Sequence, residues 1–351
     1  MRNHIRIRAA ILEELGKPLV VGDIEATQLL PGQVLVKVLF SGLCRSQLME
    51  ARGGRGLDPW VPHLLGHEGS GIVVAIGQGV TKVGPGDEVI LGWLRGQGIE
   101  APGAKYLRGN QVINSGCVTT LSNYTIVSEN RIVIKPAALP SDSAVLFGCA
   151  LPTGAGMVFN ELKPSLNSSV IVLGLGGIGI AALMALKALK INKVIAIDIA
   201  EDKLSFARQL GVVHAFNSKN PNLNKEILQI TGGGADICIE SGGHVETIEL
   251  GFSLIRKHGG KLLFASHPPD GDLIKLSPHD LISGKAIAGS WGGSTCPDAD
   301  IPKMHEHFRS ADIALGGLLT KRYSLDQIND ALDDLENGKV FRPLIQMQHL
   351  D

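Results

Sequence analysis

A glycine-rich segment lies where the backbone could approach a phosphate group. Residues 174–179 are GLGGIG, which follow the apolar run 170–173 and precede the helical pattern 180–190. In such a turn the first glycine permits a tight bend, the second lets the backbone approach a pyrophosphate, and the third lets helix and strand pack closely. The N–H groups and positive potential at the start of the helix favour the same anion. The predicted cofactor-binding residues of this segment are Gly174, Gly176, Gly177, Ile178 and Gly179.

An acidic residue ends the second strand of the same pattern. Asp198 closes the run 193–198 and lies 19 residues after Gly179. A carboxylate at this position can accept hydrogen bonds from both ribose hydroxyls, and its charge repels a 2′-phosphate. The alternative is a glycine-rich turn that binds nothing. Because strand, helix, second strand and acid follow in order, the sequence favours a dinucleotide site that prefers NAD to NADP.

Three further residues are of types that hold zinc. They are Cys44, His67 and Cys149, and their spacing is not that of a local metal motif. Free cysteines are often buried as small hydrophobic residues. A histidine that follows Gly66 can equally be a hydrogen-bonded turn residue. From the residues alone, a shared zinc site and separate structural roles both stay open.

The two parts of the chain show different patterns. In the first part, up to residue 150, short runs rich in Val and Ile are separated by Gly, Pro and Asp, as at Val34–Phe40, Gly71–Ile76 and Glu88–Leu91. This is typical of strands and turns. From residue 151 onward, apolar runs alternate with segments of helical period. The alternation predicts an α/β fold with an open, doubly wound parallel sheet covered on both faces.

The predicted strands of the second part are Val170–Gly174, Lys193–Asp198, Ala215–Asn217, Asp236–Glu240, Lys261–Ala265 and Ala286–Ser290. The predicted helices lie near 177–190, 201–210, 222–230, 245–256, 300–310 and 325–337. The last apolar run, Pro343–Ile345, needs another element against which to bury.

Bulk properties give no support for a nucleic acid or an acidic membrane as a partner. The net charge is −1, from 33 basic and 34 acidic residues without a block of either sign, and only 4% of residues are aromatic. The basic start, residues 1–8, is not followed by the apolar core of a signal peptide, and no apolar stretch reaches membrane-spanning length. Five scattered cysteines suit a reducing compartment. The sequence therefore predicts a cytoplasmic protein.

Three segments resemble the metal-site segments of the zinc-dependent medium-chain alcohol dehydrogenases. They are 42–46 (GLCRS), 65–71 (LGHEGSG) and 148–154 (GCALPTG). The segment 174–179 lies where that family places its dinucleotide loop, so the resemblance covers nearly the whole chain. It implies a GroES-like, mainly β catalytic domain together with a Rossmann domain. The implied domains are 1–150 (catalytic, first part), 151–290 (Rossmann, NAD-binding) and 291–351 (catalytic, C-terminal part).

The resemblance also implies the reaction, which is hydride transfer between NAD and an alcohol or aldehyde. One catalytic zinc per chain would be held by Cys44, His67 and Cys149, the ligand set of alcohol dehydrogenases. It would act as a Lewis acid on the substrate oxygen. Glu68 would sit behind the metal and could coordinate it transiently. Ser46 would accept the proton of the alcohol.

Further roles carried over from the family concern the cofactor and the substrate. Arg45 and Arg342 would hold the pyrophosphate, and Lys203 would bind the adenosine ribose. Thr153 would lie near the nicotinamide. Trp93 would form a wall of the substrate pocket. These roles are implied by the resemblance alone.

The chain departs from the family at three places. Many relatives carry a cysteine-rich lobe for a second, structural zinc shortly after Trp93, whereas here no cysteine follows Trp93 until Cys117, and one thiol cannot make that site. Many have an aspartate that supports the zinc histidine three residues past the first ligand; here it is Gln47, whose neutral amide would give weaker support. Some have a proton-relaying histidine where this chain has Met49. The route by which the proton leaves is therefore open.

Two other functions compete with an NAD-dependent zinc dehydrogenase. One is a zinc-free reductase of quinones or conjugated carbonyls from the same superfamily, and the other is a non-catalytic NAD-binding protein. The complete metal triad disfavours both. The family also implies a homodimer, or a tetramer built from dimers, through the last sheet strand near Ala286–Trp291. The small-molecule alcohol or aldehyde and the role of loop 94–116 stay open.

Overall fold

The computed structural model describes residues 6–266, 268–269 and 271–349, so most of the basic start of the chain lies outside the described residues. The strands are β1 (Arg6–Leu12), β2 (Val20–Ala26), β3 (Gln33–Gly42), β4 (His63–Leu64), β5 (Glu68–Ile76), β6 (Glu88–Gly92), β7 (Lys105–Arg108), β8 (Gln111–Asn114), β9 (Tyr124–Ser128), β10 (Ile132–Ile134), β11 (Ser169–Leu173), β12 (Lys193–Asp198), β13 (His214–Asn217), β14 (Ile237–Glu240), β15 (Lys261–Phe264), β16 (Ala286–Gly289), β17 (Lys321–Ser324) and β18 (Pro343–Gln346).

The α-helices are α1 (Arg45–Ala51), α2 (Ser141–Ala144), α3 (Ala150–Gly156), α4 (Gly177–Ala188), α5 (Glu201–Gln209), α6 (Leu223–Thr231), α7 (Val245–Leu254), α8 (Pro278–Ile282), α9 (Pro297–Ser310) and α10 (Ile328–Glu336). Short 3₁₀ turns cover Glu129–Arg131, Val145–Gly148, Gly292–Ser294, Leu315–Leu318 and Leu325–Gln327, and a π-helical segment covers Met157–Leu162. Within the described part of the chain no single helix is long and apolar enough to cross a membrane; one pair of successive helices, Ser141–Gly148 and Ala150–Leu162, meets that test by length and composition only.

The chain divides into two units. The first contains residues 1–149, 296–305 and 315–351, and the second contains residues 150–295 and 306–314. The first unit is thus built from both ends of the chain, and the second from its middle.

The first unit is mainly β. Five strands close a barrel in the order β1-β2-β7-β8-β4, and a seven-stranded sheet runs β10-β6-β5-β3-β18-β17, with β9 also paired to β3. Ile7, Ile11, Tyr106 and Ile113, from three barrel strands, belong to one buried cluster. The pairing of β18 with β3 buries the last apolar run of the sequence and brings the end of the chain back to its first metal-site segment.

The second unit contains the predicted parallel sheet. Its six strands run in the order β13-β12-β11-β14-β15-β16, and each adjacent pair is parallel. Every residue of the central strand β11 is buried, as expected when helices cover both faces of a parallel sheet. The α/β, doubly wound fold class is confirmed. The predicted strands and helices of this unit are present, with ends that differ by one or two residues.

The carboxylate of Glu129 fixes the backbone around the segment in which many relatives carry the cysteine-rich lobe. Glu129 is fully buried, and it accepts hydrogen bonds from the backbone N–H groups of Thr81, Lys82 and Ile99, at 2.7, 2.8 and 2.7 Å. Burial opposes the charge of Glu129, but these donors outweigh it and lower the pKa of the carboxyl below its usual value. One carboxylate therefore fixes the backbone at both 81–82 and 99.

We expect Glu129→Gln to lower the free energy of unfolding by about 1–3 kcal/mol, because it removes the charge that three buried N–H groups require. A carboxyl whose folded pKa is depressed stabilises the protein above its unfolded pKa, so the difference from wild type should be complete above pH 4.5 and shrink as the pH falls further. Urea unfolding at several pH values measures it, with the exposed Glu14→Gln as control. Equal stability of both variants at pH 7 would contradict the role of Glu129.

Candidate metal and dinucleotide sites

Three loops of the first unit position the predicted zinc ligands. Cys44 is the N-cap of α1, directly after β3. His67 lies in the turn between β4 and β5, and Cys149 follows the 3₁₀ turn Val145–Gly148. Cys44 and His67 thus meet at the ends of the neighbouring strands β3 and β5, and the 3₁₀ turn brings Cys149 beside them.

The donor atoms of these residues converge. Those of Cys44, His67 and Cys149 all lie within 4.8 Å of one another, and the two sulfurs are 3.9 Å apart. Zinc with Zn–S bonds of about 2.3 Å and a tetrahedral angle requires two sulfurs roughly 3.8 Å apart. Two thiolates and one imidazole leave a fourth position for a substrate oxygen. The arrangement therefore fits one catalytic zinc.

The electrostatics of the cysteine pair show why a cation belongs there. The hydrogen bond from Cys149, with help from Arg342 and His67, lowers the pKa of Cys44 well below its usual value despite burial. The same hydrogen bond, together with burial, raises the pKa of Cys149 well above its usual value. A thiolate at one sulfur therefore opposes the ionisation of the other. A divalent cation lets both sulfurs ionise, because metal binding displaces the proton.

A buried ion pair lies beside the ligands. Arg342 Nη1 donates to Glu68 Oε1 at 2.9 Å and to the Leu43 carbonyl at 3.2 Å. The residues are 4% and 0% exposed. Burial raises the pKa of Glu68 to about 6 although Arg342 and His67 lower it. Glu68 Oε2 is buried and has no hydrogen-bond partner among the described residues, so it is available to a nearby cation. The proposed contact of Arg342 with a pyrophosphate stays a prediction.

The start of α1 holds the other predicted residues of this segment. Ser46 Oγ is buried and has no hydrogen-bond partner in the described part of the chain, and Arg45 is exposed. Gln47 Oε1 accepts from the Cys44 N–H at 2.6 Å, while its Nε2 is buried without a partner among the described residues. The expectation that Gln47 supports His67 is therefore wrong in this structure, because the amide caps the helix instead.

Trp93 and Thr153 lie in different units. Trp93 is half-buried; its N–H donates to the Gly148 carbonyl at 3.3 Å, and its carbonyl accepts from Arg131 at 2.8 Å. Two hydrogen bonds thus fix its backbone next to the residue that precedes Cys149. Thr153 is buried in α3. Their roles toward substrate and nicotinamide stay predictions.

The glycine segment of the second unit has the shape that a pyrophosphate needs. Gly174 has a φ of +87°, and a Cβ there would collide with the backbone of Gly242. A Cβ on Gly179 would collide with the Gly174 carbonyl, so helix and strand can meet only with glycine at that place. Nothing lies within 4 Å of a Cβ built on Gly176, the N-cap of α4. The first turn of α4 is therefore open to an anion.

Asp198 is built into this segment and is not an exposed strand-end carboxylate. It is buried; Oδ2 accepts from the Leu175 N–H at 2.6 Å, and Oδ1 accepts from the Ala200 N–H at 2.9 Å. The ammonium of Lys203 lies 3.9 Å from Oδ2. Each oxygen keeps a further lone pair for a ribose hydroxyl.

One cluster of ionisable residues was not predicted from the sequence. Glu50, Asp58 and His63 bring their polar atoms within 4.8 Å of one another. Their spacing matches no motif, and the contact depends on how the loop between α1 and β4 folds back. The sequence offers little signal, because Glu50, Asp58 and His63 share the segment 50–63 with Arg52 and Arg55 and no spacing distinguishes them.

Both parts of the chain match known protein families, and relatives match it over nearly its whole length. The profile of the family "Alcohol dehydrogenase GroES-like domain" matches residues 30–137, and that of "Zinc-binding dehydrogenase" matches residues 177–310. S-(hydroxymethyl)glutathione dehydrogenase of Paracoccus denitrificans is 29% identical over 97% of this chain and 100% of its own length. Alcohol dehydrogenase 1 of Solanum tuberosum is 28% identical, over 98% of each chain.

A solved structure of a related enzyme has the same fold over nearly the whole chain. Benzyl alcohol dehydrogenase from Acinetobacter calcoaceticus has a TM-score of 0.89 and 29% identity, over 98% of this chain and 99% of its own. The fold, the glycine segment and the three convergent zinc donors are thus found together with family matches over both parts of the chain. This protein belongs to the zinc-dependent medium-chain alcohol dehydrogenase family, which confirms the predicted reaction class, hydride transfer between an alcohol or aldehyde and a nicotinamide dinucleotide.

Proposed function

We propose that the chain is an NAD-dependent alcohol dehydrogenase with one catalytic zinc, acting on a small alcohol or aldehyde. The observation that carries this proposal is the convergence of Cys44, His67 and Cys149, whose sulfurs are 3.9 Å apart. A zinc-free reductase would have no use for two adjacent thiols beside an imidazole. A non-catalytic NAD-binding protein would have no use for the hydroxyl of Ser46, two residues after Cys44, which is buried without a hydrogen-bond partner among the described residues.

The chemistry divides between the bound groups and the residues. Zinc supplies a Lewis acid for the substrate oxygen, and the nicotinamide supplies or takes the hydride. Ser46 holds the hydroxyl proton of the alcohol, since its buried Oγ has spare hydrogen-bonding capacity among the described residues. Glu68 and Arg342 keep a fixed pair of charges beside the ligands, and burial keeps water from weakening their field.

Cofactor choice depends on Asp198. Its oxygens are fixed by two backbone N–H groups, so the carboxylate cannot turn away from a 2′-phosphate. The negative charges of the carboxylate and of a 2′-phosphate would then lie at hydrogen-bond distance, and the ammonium of Lys203 would have to offset their repulsion. NAD is therefore favoured over NADP.

The assembly and location follow from surface and cysteine properties. β16 is the edge strand of the six-stranded sheet, and near it Ile282 and Trp291 are 82% and 71% exposed. An edge strand beside exposed apolar residues favours pairing with another copy of the chain, so we infer a homodimer, or a tetramer built from dimers.

The five cysteines are free thiols, which suits the reducing cytoplasm.

The function is tested by following NADH absorbance with purified enzyme and a panel of alcohols. The names of two relatives place benzyl alcohol and S-(hydroxymethyl)glutathione in the panel, beside short primary alcohols and cyclitols. We expect kcat/KM to be higher with NAD than with NADP, and Asp198→Ser to narrow the difference. Equal or better use of NADP by the wild type would refute the cofactor choice. Absence of turnover with every alcohol and aldehyde would refute the function.

Elemental analysis should give one zinc per chain after dialysis. Cys149→Ser should abolish activity while NADH binding, followed by fluorescence, stays measurable, because the ligand belongs to the first unit and the glycine segment to the second. Cys117→Ser, outside the donor cluster, is the control and should keep both zinc and activity. Active enzyme without zinc, or with two zinc ions per chain, would contradict the site.

Light scattering at micromolar concentration should show a dimer or tetramer. Ile282→Asp should weaken the assembly, because it places a charge among exposed apolar residues beside the edge strand. Val213→Asp, an equally exposed apolar position beside the opposite edge strand β13, is the control. A stable wild-type monomer would count against the proposed interface.

A further inference from the structure

The segment 241–243, which joins β14 to α7, lies directly against the first bend of the glycine segment. A Cβ built on Gly174 would collide with the backbone of Gly242. The Ser241 N–H donates to the Leu173 carbonyl at 2.8 Å. The bend that would face a pyrophosphate is therefore packed against a part of the chain that follows the neighbouring strand of the sheet.

The hydroxyl of Ser241 closes this bend. Its Oγ donates to the Gly174 carbonyl at 2.6 Å. A Cβ built on Gly179 would lie 2.8 Å from the same Oγ, so the hydroxyl lies between the first and the last glycine of the segment. One side chain from outside the glycine segment thus holds the carbonyl against which α4 packs.

Glu240, the last residue of β14, fixes the segment that carries Ser241. Glu240 is fully buried. Its Oε1 accepts from the N–H groups of Gly242 and Gly243, at 2.7 and 3.0 Å, and from the Thr247 hydroxyl at 2.7 Å. Its Oε2 accepts from the Ser266 hydroxyl at 2.9 Å. The carboxylate therefore joins the segment 241–243 to the first turn of α7 and to the residues that follow β15.

These hydrogen bonds restrict a part of the backbone that would otherwise be permissive. Gly242 and Gly243 are consecutive glycines, and Gly243 has a φ of +82°. Glycine has more conformational freedom to lose than any other residue. A buried carboxylate, in turn, is stable only when hydrogen-bond donors replace the water that it has lost. Glu240 and the two glycines therefore hold one another in a single arrangement.

The glycine segment is thus held from both neighbours of β11 in the sheet. On the β12 side, Asp198 Oδ2 accepts from the Leu175 N–H at 2.6 Å. On the β14 side, Ser241 Oγ donates to the Gly174 carbonyl. A ligand binds more tightly to a loop that already has its bound shape, because less ordering is needed at the moment of binding. Both contacts should therefore favour the dinucleotide.

We propose that Glu240 and Ser241 are positioning residues of the dinucleotide site. Glu240 fixes the segment 241–243, and Ser241 transmits that fixed position to the Gly174 carbonyl. The inference rests on the proposed function, because it requires that the glycine segment binds NAD. Both residues act through the backbone of the glycine segment and take no part in hydride transfer. Their loss should weaken dinucleotide binding and leave the chemistry at the zinc site unchanged.

The test removes each contact and measures the dissociation constant of NADH by fluorescence. Ser241→Ala should raise this Kd about 3- to 10-fold, as expected for the loss of one hydrogen bond. The KM for NAD should rise in parallel, whereas kcat at saturating NAD should not fall and zinc content should be unchanged. Glu240→Ala should raise the Kd at least as much. Glu240→Gln keeps an oxygen for the donors of Oε1, so its Kd should stay within about threefold of the wild type.

Ser169→Ala is the matched control. Ser169 begins β11, and its hydroxyl donates to Asp236 Oδ2 at 2.7 Å, at the opposite end of the same two strands. This variant loses a comparable hydrogen bond, so urea unfolding should show a loss of stability, but its Kd for NADH should equal that of the wild type. If Glu240→Ala does not fold, Ser241→Ala, which keeps the carboxylate, decides the test.

Two outcomes would overturn the positioning role and leave the proposed function intact. One is wild-type turnover with NAD together with an unchanged Kd for NADH in Ser241→Ala. The other is an equal loss of NADH affinity in Ser169→Ala, since the effect would then reflect the stability of the sheet as a whole. A wild type that binds no NADH would refute the proposed function and this inference with it.

Discussion

The ion pair between Glu68 and Arg342 joins the two ends of the first unit at the metal site. It can form only because β18 pairs with β3, which brings the last residues of the chain beside Leu43. Both charges are buried, so removal of either partner would leave the other uncompensated at a cost of about 3–5 kcal/mol. The glycine at 42 is part of the same constraint, because a Cβ there would collide with the Glu68 carboxylate. The fold of the chain ends and the chemistry of the site therefore depend on one contact.

The charge of this pair also decides what the ligand set can hold. The positive charge of Arg342 favours a thiolate at Cys44, whose pKa is lowered chiefly by the Cys149 hydrogen bond, and it opposes in part the rise of the Cys149 pKa that this hydrogen bond and burial cause. Glu68 offsets that cation at 2.9 Å and leaves a second oxygen directed toward neither Arg342 nor any other described donor. The donor set is thus strong enough for zinc without excess negative charge.

The sequence predicts best what depends on local pattern. The glycine segment, Asp198 and the alternating elements of the second unit are set by periodicity and turn chemistry, which act over a few residues, and the fold class follows from them. The metal triad could be identified only through resemblance, because loops more than twenty residues apart meet through sheet pairing. The resemblance suggested that Gln47 supports His67, but its side-chain oxygen instead accepts from the Cys44 N–H, which lies at the start of the same helix. The contact of Glu50 with His63 has no sequence signature at all.

Departures from the family pattern share a physical theme in this chain. In the region where many relatives carry cysteines for a second metal, Glu129 accepts from the backbone N–H groups of Thr81 and Ile99. Glu100 accepts from the side chains of Asn130 and Arg131, so hydrogen bonds fix this region. Where some relatives have a relay histidine this chain has Met49, and the carboxylate of the next residue, Glu50, lies 3.9 Å from the imidazole of His63. At both places carboxylates lie against donors from other segments of the first unit. At the first place one carboxylate, Glu129, accepts from three backbone N–H groups, and because these belong to two separate segments, a single side chain fixes the backbone at 81–82 and at 99.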